Sequence, residues 1–198
     1  MLRTIFALFL MATPALATPE YTLPTLFDVA RVAPNDVLNI RAEPNANSEI
    51  IGTLPYNDKN IEVVEETRGW ARVNKGESTG WVSSRYLDYR TDVWTDGALP
   101  QGWKCYGTEP FWTASVKDGS VNFSTPDAGT TVHPIKAVLS TGAFRDPTRA
   151  VVAEGMTISS TPQMCSDGMS DRSFGLRAQL IMQGNSPRLL SGCCSIAP

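Results

Sequence analysis

Gly69-Trp70-Ala71-Arg72-Val73 and Gly80-Trp81-Val82 stand on either side of a polar stretch, Asn74 to Thr79. Each run is short and carries the aromatic and β-branched residues that suit a pleated, half-buried surface. The pair therefore reads as a hairpin. Working outward, Val37-Leu38-Asn39-Ile40-Arg41, Ile50-Ile51-Gly52-Thr53-Leu54 and Asn60-Ile61-Glu62-Val63-Val64 are three more runs of this kind, parted by turn residues. Five strands at such spacing predict a small barrel between Asp28 and Tyr89. No cysteine falls in that segment. Its core must rest on apolar contacts, Trp70 and Trp81 among them, at roughly 60 residues, near the lower size limit for an independent fold.

Residues 90–101 read as a linker, broken by Asp92, Asp96-Gly97 and Pro100, with Trp94 available to tack it onto a neighbour. A second β unit is expected over residues 102–198. Phe111 to Val116 and Val121 to Ser124 flank Lys117-Asp118-Gly119-Ser120, an Asp-Gly turn that closes hairpins. Phe174, Leu176, Ala178, Leu180 and Met182 alternate with other residues as one face of a strand, and Gln183 to Pro187 turn it into Arg188-Leu189-Leu190-Ser191-Gly192. The fold class expected is mainly β: an SH3-like small barrel followed by a disulfide-braced antiparallel β domain.

Arg3 precedes an apolar run from Ile5 to Ala12, and Ala15-Leu16-Ala17 places small residues before a cut, so residues 1–17 read as a signal peptide. That run is too short to span a bilayer, which needs roughly 20 residues. No cysteine stands just after the cut at Thr18, so no lipid anchor on the new N-terminus is expected, and a periplasmic or secreted protein is. Without Arg3, 16 of the 17 basic residues remain against 20 acidic ones. That mild acidity and the lack of any basic run argue against nucleic acid as a partner.

Cys105, Cys165, Cys193 and Cys194 all lie in the second half. An oxidising compartment makes two disulfides the expected state. A bond between the neighbours Cys193 and Cys194 would need a strained ring. Cys105 and Cys165 are thus each expected to take one of the terminal pair, in either order. Zinc sites favour closer cysteine spacing with histidine nearby, and His133 is the only histidine, so no metal or other cofactor is expected.

Leu38-Asn39-Ile40-Arg41-Ala42-Glu43-Pro44, Ile50-Ile51-Gly52-Thr53-Leu54-Pro55, Arg68-Gly69-Trp70-Ala71-Arg72-Val73 and Gly80-Trp81-Val82-Ser83-Ser84-Arg85-Tyr86-Leu87 together resemble the bacterial SH3 family from end to end. The resemblance implies a non-catalytic module that holds cell-wall peptide or positions an envelope protein. The second half is similar to a family of bacterial envelope proteins marked by Cys105-Tyr106-Gly107-Thr108-Glu109-Pro110-Phe111-Trp112, by Cys165-Ser166-Asp167-Gly168-Met169-Ser170-Asp171-Arg172 and by Gly192-Cys193-Cys194. That resemblance implies a fold and no activity.

Tyr56, Trp70, Trp81 and Tyr86 are the candidates for a peptide groove, since rigid rings give contact area at low entropic cost. Trp70 and Trp81 more often fill the core of such a barrel, while Tyr56 and Tyr86 lie nearer loops. Glu109, Trp112, Asp167, Asp171 and Arg172 make a candidate surface in the second domain. Glu109 with Asp167 or Asp171 could do acid-base work as a wall hydrolase. Against this, Asp167-Gly168 reads as a turn, Asp171 as a partner of Arg172 or a cap, and Glu109 as an acceptor of local amides. The loop lacks the alternating ligands of a calcium site. Nucleophilic chemistry would need a free thiol, or a serine, beside His133, which reads as an exposed loop residue. The expected function is non-catalytic binding of peptidoglycan peptide or a protein partner, with inhibition of a wall hydrolase such as lysozyme as the alternative. The sequence leaves oligomeric state open.

Overall fold

The structure, a computed structural model, describes residues 20–197, so the expected signal peptide lies outside the described residues. Its N-terminal part is an antiparallel sheet of seven strands: β1 (Thr25–Val29), β2 (Val37–Arg41), β3 (Ile50–Pro55), β4 (Ile61–Thr67), β5 (Trp70–Lys75), β6 (Ser78–Ser83) and β7 (Leu87–Tyr89). They run in the order β3-β2-β6-β5-β4-β1-β7, and a 3₁₀ turn at Ser84–Tyr86 precedes β7. The five runs expected from the sequence are β2 to β6. Arg68 and Gly69, with φ of 48° and 81°, make the tight turn from β4 to β5 that suits the right-handed twist of a hairpin.

Alternation decides what enters the core. Ala71, Val73 and Val82 point inward with Ile40, Leu38 and Val63. Trp70 and Arg72 therefore face the other way, opposite Ser83 and Trp81. Both tryptophans stand on the outer face, where only Trp81 finds the burial expected of it. Trp81 is buried there beneath Arg72, whose guanidinium lies 4.6 Å from the ring centroid, and Trp70 is half-buried.

The C-terminal part is a closed eight-stranded barrel: β8 (Lys104–Thr108), β9 (Phe111–Lys117), β10 (Ser120–Thr125), β11 (Gly129–Ser140), β12 (Arg149–Ala153), β13 (Met156–Cys165), β14 (Phe174–Met182) and β15 (Arg188–Ser195). Each strand pairs antiparallel with the next, and β15 returns to β8. Asp118 and Gly119, at φ 49° and 72°, form the expected β9–β10 turn. The interior is packed with side chains such as Trp112, Phe123, Met156, Ile158, Leu176 and Leu180, so it is a core and not a channel. His133, expected in a loop, lies within β11. Pro134 is tolerated there beside a bulge between Ile135 and Ala137, where the ladder does not need its missing N–H.

The seam between β8 and β15 has only three paired positions, Lys104, Cys105 and Tyr106 against Ser195, Cys194 and Cys193. One cystine spans it. Cys105–Cys194 is buried inside the barrel, while Cys165–Cys193 joins β13 to β15 on the outer side. Successive residues of a strand point to opposite faces, so the adjacent pair Cys193 and Cys194 must serve different partners. The expected pattern of pairing holds, and the strand supplies its order.

The two parts share a packed junction. On β1, Phe27 and Val29 enter the N-terminal core, whereas Leu26 joins the barrel's core together with Val93 and Trp94 of the connector. The Trp94 indole donates to the Pro24 carbonyl (2.8 Å). Buried Arg149 donates to the carbonyls of Thr95 (2.9 Å), Ala98 (2.9 Å), Asp146 (2.6 Å) and Thr148 (2.8 Å), which holds the connector against the barrel. Asn74 and the Ser173 backbone exchange two hydrogen bonds of 2.8 and 2.9 Å.

Glu62 of β4 is the buried acid of this junction. Its carboxylate accepts from the Ser195 hydroxyl and from the Ala197 amide, while its second oxygen has no partner among the described residues. Burial pushes its pKa up; the Ser195 hydroxyl, the Ile196 and Ala197 amides and the Arg172 charge oppose this, and the net shift is upward. Between the ordinary glutamate pKa and the raised folded value, the folded protein holds a proton that the unfolded chain has released. Stability from this group is full below the ordinary glutamate pKa and is lost as pH rises through the folded value. Glu62→Gln should flatten that fall and stabilise the protein at pH 7. Urea titrations between pH 5 and 8 check this, and an unchanged pH slope in the variant would contradict it.

Candidate functional site

Two surfaces gather the residues singled out in the sequence. The first is a groove of about 560 Å³ on the N-terminal sheet, between the β1–β2 loop, β2 and the 3₁₀ turn. Trp70 and Tyr86 both line it. The β4–β5 turn delivers Trp70 to one wall, and the 3₁₀ turn delivers Tyr86. Tyr56, exposed just beyond β3, and Trp81, covered by Arg72, stand outside it.

The arginines of the groove escaped the sequence reading. Arg31, at φ 59°, donates to the carbonyls of Arg85 and Leu87 (2.6 Å each) and pairs with Asp88, so it braces the wall. Arg41 donates to the Ser48 carbonyl (2.6 Å). Arg85 is exposed, lies 5.3 Å from the Tyr86 ring centroid and has no ion pair among the described residues. The groove therefore offers two rings and a free guanidinium, with Asp36 as the one acid in its lining. Such a surface suits an extended ligand with apolar groups and a carboxylate.

The second surface is one rim of the barrel, where the three cysteine-bearing motifs converge. Tyr106, Thr108, Phe111 and Trp112 of the first motif and Asp167, Met169 and Ser170 of the second line a cleft of about 560 Å³. Glu77, from the β5–β6 turn of the other part, also reaches it. Gly107 and Gly192 are glycine for steric reasons. A Cβ on Gly107 would run into the Trp112 indole, and one on Gly192 would strike the Tyr106 carbonyl. A smaller hollow beside the cleft takes in Glu109 with Asp167, and Asp171 and Arg172 line a third with Arg72.

The three carboxylates do not meet in one cleft. Asp167 is spent on its own loop: it accepts from the amides of Met169 and Ser170 (3.0 Å each) and from the Ser170 hydroxyl (2.9 Å). Burial raises its pKa, but those bonds and the nearby Arg172 charge outweigh it and leave the carboxyl below its ordinary value. An acid held ionised in this way is a poor proton donor at neutral pH. Glu109 and Asp171 are exposed, and neither makes a side-chain hydrogen bond or ion pair among the described residues. The pairing of Asp171 with Arg172 does not form. Arg172 instead lies 4.8 Å from the Phe174 ring centroid and 5.8 Å from that of Tyr106. His133 bonds to Thr131 Oγ1 and the Glu154 carbonyl (2.8 Å each).

Residues 36–88 match the model of the bacterial SH3 domain. This part of the chain is a bacterial SH3 domain, a module that suggests binding at the cell wall, and the match takes in Trp70, Arg85 and Tyr86. Over 50 residues the chain is 34% identical to "Putative N-acetylmuramoyl-L-alanine amidase YrvJ" of Bacillus subtilis (strain 168), across 25% of this chain and 10% of that protein. The chain thus spans a small fraction of that relative's length. No solved structure matches.

Proposed function

We propose that the protein is a non-catalytic binder of the bacterial cell wall, acting outside the cytoplasm, whose SH3 groove takes the stem peptide of peptidoglycan. The observation that carries this reading is the pairing of the Trp70 and Tyr86 rings with the unpaired Arg85 in one groove. A stem peptide brings small apolar side chains for the rings and carboxylates for the guanidinium. The bacterial SH3 match supports the wall as the partner. The two cystines, with no free cysteine among the described residues, support an oxidising compartment. No helix among the described residues is long and apolar enough to cross a membrane. A binding role also fits the spent carboxylate of Asp167.

Sedimentation with insoluble peptidoglycan tests the proposal. The full-length protein should pellet with the wall. Trp70→Ala should weaken that binding about thirtyfold, the loss of one central aromatic anchor. Trp70→Ala that pellets like the parent would refute the groove, and a parent protein left in the supernatant at all salt concentrations would refute wall binding.

A further inference from the structure

The rim cleft of the C-terminal barrel has no role in the groove's binding, yet it is built like a site. Its two walls, Tyr106 to Trp112 and Asp167 to Ser170, follow Cys105 and Cys165, and both cysteines are bonded to β15. The cleft is therefore held open by two covalent braces. Its volume of about 560 Å³ falls within the range of small-molecule sites. Phe111 and Met169 stand at its lip with 50% and 69% exposure. The barrel's interior is filled by other side chains, so packing does not require an aromatic ring and a thioether here.

We infer that this cleft binds a short neutral oligosaccharide carrying acetamido groups. A pyranose ring has C–H faces that pack on Phe111 and hydroxyl edges that need donors and acceptors. Thr108, Thr113 and Ser124 supply hydroxyls. Glu77 has no hydrogen bond or ion pair among the described residues, and one Asp167 oxygen accepts only the Ser170 hydroxyl, so both carboxylates have room for a sugar hydroxyl or an amide N–H. An acetamido methyl suits Met169.

Charge narrows the choice. No lysine or arginine lines the cleft, and of its two carboxylates only Asp167 has a balancing charge, Arg172, so an anionic ligand would face Glu77 uncompensated. A cationic one meets Lys104 and Arg172, already 5.0 and 5.8 Å from the Tyr106 centroid, with Arg172 also balancing Asp167. A neutral ligand incurs neither cost.

The inference stands apart from the SH3 groove and is tested apart from it. Triacetylchitotriose, titrated by calorimetry into the full-length protein, should bind saturably with a Kd below about 1 mM. Phe111→Ala and Met169→Ser, both at exposed positions, should each weaken binding about tenfold with an unchanged melting temperature. Trp70→Ala should leave it unaltered. The inference is overturned by the absence of saturable binding, by both lip variants binding like the parent, by loss in Trp70→Ala alone, or by tighter binding of fully deacetylated chitotriose.

Discussion

A variant with both Cys105→Ala and Cys194→Ala should melt about 10 °C or more below the parent protein. The bond closes a loop of 89 residues, which on the chain-entropy account is worth about 4.6 kcal/mol, and a protein of roughly 180 residues loses about 2–4 °C per kcal/mol. Its position adds to the effect. It crosses the seam of three paired residues, the shortest ladder of the barrel, so its loss falls where backbone bonding is thinnest. The outer bond, Cys165–Cys193, closes 28 residues between strands that already reach each other through β14, and its removal should cost less. Calorimetric melts of the two double variants, compared in one buffer, check both the size and the order. A seam variant within about 3 °C of the parent would show that the ladder alone keeps the barrel shut.

Trp112→Ala should cost about 3–5 kcal/mol, as for a large ring removed from a packed interior. Trp112 is 2% exposed, and the two glycines beneath it leave no side chain able to fill its space. Phe123, with its centroid 6.1 Å away, is held on β10 and cannot swing in without breaking its own packing. Urea denaturation should show a lower midpoint with an unchanged slope. A loss below about 1 kcal/mol would mean the rim collapses readily around the gap. Gly192→Ala makes the complementary case, since the added methyl meets the Tyr106 backbone and a strand must shift to admit it.

Local signals carried much of this architecture. The Asp118-Gly119 turn, the alternation in β14 and the five runs of the SH3 domain all sit where the residues place them. The strands that went unread, β1, β7, β8 and β11 to β13, lack such marks. β1 is buried on both faces, with Leu26 in one core and Phe27 in the other, so it shows no alternation. β11 is largely exposed and carries a proline. Trp70 was legible and misread: the period of two that puts Ala71 and Val73 inside also puts Trp70 and Arg72 outside.

The sites were legible in part. Asp167 as a turn residue follows from the glycine beside it, and its three local bonds bear that reading out. Arg85 and Glu77 left no trace in the sequence, because an exposed charge on a turn looks alike whether or not a groove lies under it. Glu62 did leave one. A charge inside Ile61-Glu62-Val63-Val64 marks a strand covered on both sides, and the second cover is the other domain.

Arg149 ties the connector to the barrel through the Thr95 and Ala98 carbonyls, and so restrains the hinge that a chain of two modules would ordinarily keep between them. The groove and the rim cleft then stand at a set spacing, like the jaws of a locked caliper. A polymer that presents both ligands at that spacing gains from the second contact as an intramolecular event, at high effective concentration. One that presents them at any other spacing gains nothing. On the two proposed sites, avidity in this molecule would be a reading of ligand geometry.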